Sequence, residues 1–597
     1  MDNQRNIILA VVLSALILFG WDAAMRWYYP APAKPAAVAG QTAAGPVAAA
    51  DPAQPGTPTR EGGLRSAADV ALEKQDLDIA LKAPGRIAIA APGLSGSIHT
   101  TGALIDDLTI NRHTATMEKS SGAARLFSPP GTPAQHFAQF GWVASGAGTV
   151  ALPTATTAWS APANARLTPA TPVTLTWTNP TGQTFAIRFA IDKDYMITAT
   201  QSVVNRGPAP VALRPFALIN RTDRTASLDS FNVHSGPIGA YDQAVKFGPD
   251  YSDVQDAGTV PSEGRPDWVG FTDIYWMSAL VPGKGEVSSD FRALGGGVYR
   301  ADLLYKPAQV APNMQLAQTT RLFAGAKESD VLDRYEEGGI ANFGLAIDWG
   351  WFRWFEKPIF MLLKALFGAT GNFGVAIILL TVIVRGIMFP IAQRQFASMA
   401  AMKAIQPKMK ALQDRYKDDK QKQQQEIMAL YKKEGVNPLA GCLPIFLQIP
   451  VFFALYKVLI LSIEMRHQPF ALWIKDLSAP DPLHFLNLFG LLPFTPPSFL
   501  AIGVLALLLG ITMYFQFKLN PAQMDPIQQQ VFAIMPWMMM FIMAPFAAGL
   551  LIYWITSNIL TIAQQKYLYS RHPQLQAQAE KDEIDRQRTV EREKGTT

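Results

Sequence analysis

The chain has 597 residues, of which only 17% are charged, and a net charge of +5 at neutral pH. Its mean hydropathy of +0.10 argues against a wholly water-soluble protein, and its single cysteine, Cys442, excludes an internal disulfide. Apolar runs concentrate between Trp349 and Gln565, whereas the stretch from Leu64 to Ala341 is mixed and polar. The sequence therefore predicts a soluble half followed by a membrane half.

The N-terminal segment, residues 1–29, combines an early basic residue, Arg5, with an apolar run and a cluster of aromatic residues. A cleaved secretory signal begins in the same way, but the aromatic belt after the run favours an uncleaved signal anchor that crosses the membrane. Residues 30–60 are rich in Ala and Pro and contain few charges, which predicts a linker without a core.

Residues 61–341 contain short alternating or β-branched runs separated by Gly, Pro and Asn turns. The runs include Arg86–Ala90, Val173–Trp177, Phe185–Ile191 and Tyr195–Val204. They predict an all-β sandwich outside the membrane. No metal-binding, redox or phosphate-binding motif is present, and the histidines are too scattered for a metal site. Binding or scaffolding is therefore favoured over catalysis.

Residues 348–368 predict a helix with Arg353, Lys357 and Lys364 on one face and aromatic and aliphatic side chains on the rest. This pattern is typical of a helix that lies in the membrane interface. The alternative is a core helix of a soluble domain.

Five apolar stretches follow, each near the roughly 20 residues that cross a bilayer. They are residues 372–390, 441–463, 498–517, 531–544 and 547–566. Together with the signal anchor they predict six transmembrane helices. The strongly basic segment 391–439 is expected in the cytoplasm by the positive-inside rule. This places the β domain and the loop 464–497 outside, and both termini, the loop 518–530 and the basic tail 567–597 inside.

The basic segment repeats apolar residues at helical spacing on both sides of a polar break, which predicts two helices packed as a hairpin. Its outward basic residues are candidates for contact with ribosomes or a nascent chain, namely Lys403, Lys408, Lys410, Arg415 and Lys417. The alternative is a solvated loop whose charge only fixes the topology.

Arg385 most strongly favours a specific function, because a charge at membrane depth costs a few kcal/mol or more. Polar residues at helical spacing accompany it in three spans: Thr381, Gln448, Trp554, Ser557, Asn558 and Thr561. No carboxylate lies in the inner part of these spans to neutralise Arg385. The group therefore predicts a hydrated groove. The alternatives are that Arg385 snorkels to the headgroups and that the others only pair helices.

The predicted span 531–544 is rich in methionine and phenylalanine, including Met535, Met539 and Phe541. Such a soft apolar surface can accept varied partners. Together with Phe452 in the predicted span 441–463, these residues are candidates for a surface along which a client helix slides into lipid. Ordinary lipid-facing packing is the alternative.

Four segments carry a specific resemblance: GNFGVAIILLTVIVRGIMFP, VNPLAGCLPIFLQIPVFFALYKVL, FALWIKDLSAPDP and GLLIYWITSNILTIAQQ. They resemble the membrane core of the YidC/Oxa/Alb insertase family over about Trp349 to Tyr569. The resemblance to the proteobacterial form implies a supersandwich fold for the β domain and a groove formed by Arg385, Thr381, Gln448, Trp554 and Asn558. The last span departs from the family pattern, with Tyr553-Trp554 in place of two tyrosines, and Tyr553 is also a candidate groove residue.

The resulting hypothesis is a membrane protein insertase and folding chaperone of the bacterial inner membrane, with no enzymatic activity, cofactor, metal, small-molecule substrate or specific nucleic acid. Its partners would be nascent inner-membrane proteins, lipid and ribosomes, and the resemblance implies the Sec translocon. A transporter would need acidic pairs within the membrane and repeated halves, and the sequence shows neither. A second rival makes the β domain a carbohydrate enzyme or binder.

Overall fold

The structure is a computed structural model that describes residues 77–145, 150–227, 233–350, 353–417, 419–434, 443–489, 492, 501–519 and 526–571. The predicted signal anchor (1–29), the linker (30–60) and most of the predicted tail (567–597) lie outside these residues.

Nineteen strands occur in the described part of the β domain. They are β1 (Arg86–Ala90), β2 (Leu94–His99), β3 (Leu104–Thr114), β4 (Ala123–Phe127), β5 (His136–Ala144), β6 (Arg166–Leu167), β7 (Val173–Thr178), β8 (Gln183–Ile191), β9 (Met196–Asn205), β10 (Val211–Thr222), β11 (Gly236–Tyr241), β12 (Ala244–Phe247), β13 (Thr259–Pro261), β14 (Pro266–Thr272), β15 (Trp276–Pro282), β16 (Val287–Gly295), β17 (Val298–Tyr305), β18 (Ala308–Val310) and β19 (Gln315–Ala326).

These strands form two sheets. One runs in the order β13-β16-β17-β10-β5-β3-β2-β1-β6, with β18 paired to β10 and β4 to β3, and the other in the order β12-β11-β14-β15-β19-β9-β8-β7. Burial alternates along β8 and β9, as expected for strands with one face on a core. Aromatic pairs join the sheets. The ring centroids of Trp142 in β5 and Phe185 in β8 are 5.1 Å apart, and those of Phe140 and Phe189 in the same two strands are 5.8 Å apart. The predicted all-β sandwich is confirmed.

Besides a helical segment at residues 77–81 and short 3-10 turns, ten helices occur in the described chain. They are α1 (Tyr251–Ala257), α2 (Ser329–Glu337), α3 (Arg353–Thr370), α4 (Phe373–Ala404), α5 (Gln406–Arg415), α6 (Lys420–Glu434), α7 (Leu443–Leu461), α8 (Val504–Lys518), α9 (Pro526–Met543) and α10 (Ala548–Arg571). The last helix, α10, packs against α4, α7 and α8, and α3 packs against α4 and α7.

Helix α4 is longer than predicted. The expected span ended at Pro390, but the helix continues through that proline to Ala404. A helical proline removes one backbone hydrogen bond, and the Ala-, Gln- and Met-rich sequence beyond it favours helix strongly enough to continue. Pro407 lies in the first turn of α5, where its missing N–H has no cost, so it begins a helix and does not kink one.

The bounds of three later helices also differ from the expected spans. Helix α8 begins at Val504 instead of residue 498, α9 begins at Pro526 instead of residue 531, and α10 continues to Arg571. Among the described residues, Phe373–Arg394 is long and apolar enough to cross a membrane, and Pro450–Leu461, Val504–Lys518 and Ala533–Met543 are shorter apolar helices. Helix bounds depend on caps and proline positions that hydropathy does not register.

Helix α3 is fastened to the β domain by ion pairs. The ammonium group of Lys357 lies 3.0 Å from the carboxylate of Asp333, and that of Lys364 lies 2.5 Å from the carboxylate of Asp330. Both aspartates belong to α2. The basic face expected to meet lipid headgroups is thus partly used by protein. Trp354, 74% exposed, stays on the outer surface. The interfacial position of α3 stays a prediction.

The outer end of α7 contacts the β domain directly. Lys457 of α7 donates to the carbonyl of Asp348 (2.9 Å). Glu464 accepts from the backbone N–H of Ser329 (3.2 Å). Arg466 donates to the carbonyl of Thr114 (2.9 Å) at the end of β3. These contacts define which end of the helical half faces the β domain.

Candidate functional site

The centre of the candidate site is the contact between Arg385 of α4 and Ser557 of α10. The guanidinium donates to the Ser557 hydroxyl from Nε (3.0 Å) and also from Nη2. Ser557 is buried and Arg385 is half-buried. The serine thus fixes the plane of the guanidinium across a helix–helix contact, because two donors share one acceptor.

Arg385 lies far from both ends of its helix. Twelve residues separate it from Phe373, about 18 Å at 1.5 Å per residue, and the apolar window continues nine residues further to Arg394. None of α4, α7, α8, α9 and α10 contains Asp or Glu. A cation at this depth without a neighbouring carboxylate is costly, which is the property that marks functional charges in membrane proteins.

Two predicted groove residues have their polar groups engaged within the helical core. Thr381, buried one turn from Arg385, donates to the carbonyl of Ile377 (2.7 Å) in its own helix. Asn558, also buried, donates from Nδ2 to Thr512 of α8 (3.1 Å). Asn558 therefore pairs α10 with α8, which is the alternative that the sequence left open for such residues.

Aromatic side chains lie beside the polar centre. Trp554 packs edge-on against Phe452 of α7 (5.2 Å between ring centroids), and Phe452 stacks on Tyr456 (6.4 Å). Tyr553 is buried and lies within electrostatic range of Arg385. Trp554 is half-exposed, so it offers an aromatic face at the edge of the group.

The methionine-rich helix α9 is partly open. Met535 and Met539 are half-buried, Phe541 is 48% exposed, and Met540 is buried against α8. Phe452 is half-buried in α7. The residues proposed for a sliding surface are therefore accessible to different degrees, and whether a client uses them stays a prediction.

The basic hairpin forms as two helices, α5 and α6. Lys408 pairs with Glu434 across the hairpin (2.7 Å), and the hydroxyl of Tyr431 contacts the sulfur of Met409 (3.2 Å). Arg415 and Lys417 are exposed. The side chains of Gln448, Lys403 and Lys410 lie outside what the structure describes.

The sequence pattern includes Ser557 among the polar residues that accompany Arg385, but it does not distinguish Ser557 from the others. Its i, i+4 relation to Tyr553 and Thr561 marks one helix face. Only the packing of α10 on α4 selects it as the partner of Arg385. Thr512 of α8, the acceptor for Asn558, carried no signal in the sequence.

The β domain contains a second buried polar group, but its geometry is closed. Arg221 donates to Asp273 (2.7 Å), whose other oxygen accepts from the backbone N–H of Ser227 (2.9 Å). A cavity of about 120 Å³ beside Phe140 and Trp159 is smaller than the 300 to 1,000 Å³ typical of ligand pockets. No group of three potential metal ligands occurs among the described residues. The carbohydrate-binding alternative gains no support from these features.

Comparisons with known proteins cover both halves of the chain. Residues 86–362 match the family described as "YidC periplasmic domain", and residues 365–576 match "60Kd inner membrane protein". The membrane protein insertase YidC of Zymomonas mobilis subsp. mobilis is 43% identical over 581 residues, 96% of each chain. That of Nitrobacter hamburgensis is 42% identical over 592 residues, again 96% of each. A crystal structure of an active YidC insertase is 17% identical and covers 81% of this chain and 92% of that chain, with a TM-score of 0.34.

Proposed function

The chain belongs to the YidC family of membrane protein insertases of the inner membrane, and we propose that it inserts clients by binding an acidic client residue at Arg385. The observation that carries this proposal is the pairing of Arg385 with a neutral hydroxyl between helices of a group, α4 and α7–α10, that contains no Asp or Glu. A client carboxylate would supply the missing counter-charge during its passage and then leave.

The orientation of the guanidinium defines how a carboxylate approaches. Arginine has five N–H donors, and Ser557 engages one on Nε and one on Nη2. Three N–H donors of the guanidinium remain. Two of them, one on each Nη, lie on the end-on edge, which matches the two oxygens of a carboxylate. Ser557 therefore positions the arginine for bidentate binding.

The apolar part of the client would leave the site sideways. Trp554 and Phe452 border the polar centre, and Met535, Met539 and Phe541 of α9 continue the apolar surface. Burial of the client's own apolar surface in lipid, at about 25 cal/mol per Å², would drive this step without nucleotide or covalent chemistry.

The finer topology and partners belong to the same proposal. Both termini and the α5–α6 hairpin would lie in the cytoplasm, and the groove would open to the cytoplasm and to lipid. The exposed Arg415 and Lys417, with Lys403, Lys408 and Lys410, would contact ribosomes or nascent chains. The Sec translocon would take part for some clients. The cluster of basic residues supports the cytoplasmic position of the hairpin.

The test is insertion of a single-span client with an acidic translocated tail into proteoliposomes that contain the full chain. Arg385→Ala should lower the initial insertion rate about tenfold to a hundredfold, because a charge-assisted hydrogen bond contributes about 1.5–3 kcal/mol. Arg385→Lys should retain part of the activity, since a lysine keeps the charge but loses the planar fork.

Two controls isolate the charge interaction. Arg394→Ala removes an exposed cation from the same helix and should leave the rate unchanged. A client whose acidic tail residues are changed to amides should be insensitive to Arg385→Ala. An equal loss for the acidic and the amide client would refute charge recognition at Arg385.

A further inference from the structure

Helix α8 is too short to cross the hydrocarbon core alone. Its 15 residues, Val504–Lys518, span about 22 Å, whereas the core of a bilayer is about 30 Å thick. The N-terminus of α8 faces the β domain, because it follows the α7 end whose Arg466 contacts the carbonyl of Thr114. The N-terminal end of α8, at Val504, is therefore its periplasmic end.

A buried carboxylate closes that end of α8. Asp481 accepts from the backbone N–H of Leu505 (2.8 Å), from that of Leu483 (3.0 Å) and from the indole of Trp473 (3.0 Å). Asp481 is only 2% exposed. Free N–H groups at a helix start are normally hydrated, so this cap permits α8 to begin where water is scarce.

Residues 484–489, here called the 484–489 turn, lie directly against the start of α8. The N–H of Phe485 donates to the carbonyl of Ile502 (3.0 Å), and the N–H of Val504 donates to the carbonyl of Leu483 (3.2 Å). Within the turn, Leu488 and Phe489 donate to the carbonyls of Phe485 and His484. The turn thus satisfies much of its own backbone, as a segment in lipid must.

The side chains of the 484–489 turn are arranged opposite to those of a solvated loop. Phe485, Leu486, Leu488 and Phe489 are exposed, with Phe485 58% exposed, whereas the polar Asn487 is buried. Residues 483–489 contain no Asp, Glu, Lys or Arg. An apolar surface of this kind requires a nonaqueous partner.

We propose that the 484–489 turn is inserted among the acyl chains of the outer leaflet, where it completes the membrane crossing that α8 leaves short. Helix α8 also exposes apolar side chains, Leu508, Ile511 and Phe515, so both the helix and the turn offer apolar surface to lipid. Lipid is favoured over a protein partner, because the turn lies against the start of a helix that is too short to cross the hydrocarbon core alone. Part of the predicted periplasmic loop 464–497 is then a membrane element.

The experiment measures the depth of a nitroxide label in proteoliposomes. In the full chain with Cys442→Ser, a label on Phe485→Cys is compared with labels on Leu508→Cys of α8 and on Leu294→Cys, an exposed position of the β domain. Accessibility to oxygen, which concentrates in lipid, is divided by accessibility to a water-soluble nickel chelate. The ratio at 485 should match that at 508 and exceed that at 294.

Each other outcome contradicts the proposal. A ratio at 485 equal to that at 294 would place the turn in water, and low accessibility to both reagents would indicate a protein partner. Leu486→Cys provides a second label site if the first variant does not fold. Because this proposal rests on the membrane position of α8 and not on Arg385, its failure leaves client recognition in the groove unaffected.

Discussion

The β domain and the helical half each bury an arginine, but they treat its charge in opposite ways. Arg221, 2% exposed, donates to Asp273. Burial by itself lowers the pKa of Arg221, but the neighbouring carboxylate of Asp273 outweighs it and leaves the pKa above its ordinary value. Arg385 instead donates to the neutral hydroxyl of Ser557. A neutralised buried charge is a structural element, whereas an unneutralised one stays available to a ligand.

A third arginine lies between these cases, at the contact of the two halves. Arg466 donates to the carbonyls of Thr114 and Ala115 and lies over the rings of Trp276 and Tyr275. Burial lowers the pKa of Arg466. Its donors are used by the backbone of the β domain, so it fastens one half to the other and is not available to a client.

The comparison predicts opposite effects on stability. Arg221→Met should cost about 3–5 kcal/mol of unfolding free energy, because it leaves Asp273 buried without its counter-charge. Arg385→Met should cost nothing or stabilise the helical half, because it removes a cation without a counter-charge. Chemical unfolding in detergent, followed by signals from each half, measures both.

A matched double variant tests the reason. Arg221→Met with Asp273→Leu should recover part of the lost stability, because neither member of the pair is then buried without the other. If Arg385→Met unfolds the helical half as strongly as Arg221→Met unfolds the β domain, the distinction between the two arginines is wrong.

The second prediction concerns Ser557, which positions Arg385 and is not proposed to touch the client. Ser557→Ala should lower insertion of an acidic client about threefold to tenfold, less than Arg385→Ala, because the charge remains and only its orientation is lost. Ser557→Thr should restore the rate, since it keeps the hydroxyl. Insertion rates of acidic and amide clients measure the effect.

Two results would contradict this role. An equal loss with acidic and amide clients would indicate helix packing in place of positioning. Ser557→Thr as defective as Ser557→Ala would also argue against the hydroxyl. Thr512→Ala, which removes the neighbouring contact to Asn558, is the control for a general loosening of the helices.

The smallest predicted effect is a pH dependence at the contact between the halves. Burial raises the pKa of Glu356 to about 7, while the nearby Lys457 acts in the opposite direction. Its Oε2 is buried and lacks a hydrogen-bond partner among the described residues. Between pH 4.5 and about 7, the folded state therefore keeps a proton on Glu356 that the unfolded chain has lost. The free energy of unfolding accordingly falls as the pH rises through this range.

Glu356→Gln removes this titration. The melting temperature of the variant relative to the unchanged chain should be higher at pH 8 than at pH 5. At each pH, subtracting the melting temperature of the unchanged chain removes the contribution of the other titrating groups, because both proteins share them. An identical relative melting temperature at both pH values would show that Glu356 does not titrate between them.

The sequence predicted the sandwich because strand patterns such as Phe185–Ile191 report burial on one face directly. It could not predict that Pro390 lies within α4 or that α8 begins at Val504, because proline tolerance and caps depend on neighbouring segments. Asp481, which caps α8 from 24 residues away in sequence, gives no local signal.

The candidate site divides in the same way. A charge within the apolar sequence identified Arg385, since burial of a cation is unfavourable in any fold. The sequence assigned Asn558 to the groove, but the structure places its amide against Thr512. Lys457 lies within an apolar stretch of the sequence, and only the fold places the carbonyl of Asp348 beside its ammonium group.

By itself, then, the sequence determined the two halves, the sandwich, the basic hairpin and the arginine in the membrane, because hydrophobic pattern and charge act locally. Only the tertiary structure decided which hydroxyl orients Arg385, which basic residues of α3 pair with the β domain, and which carboxylate caps α8. Those depend on distances between residues far apart in the chain, and a short-range pattern does not encode them.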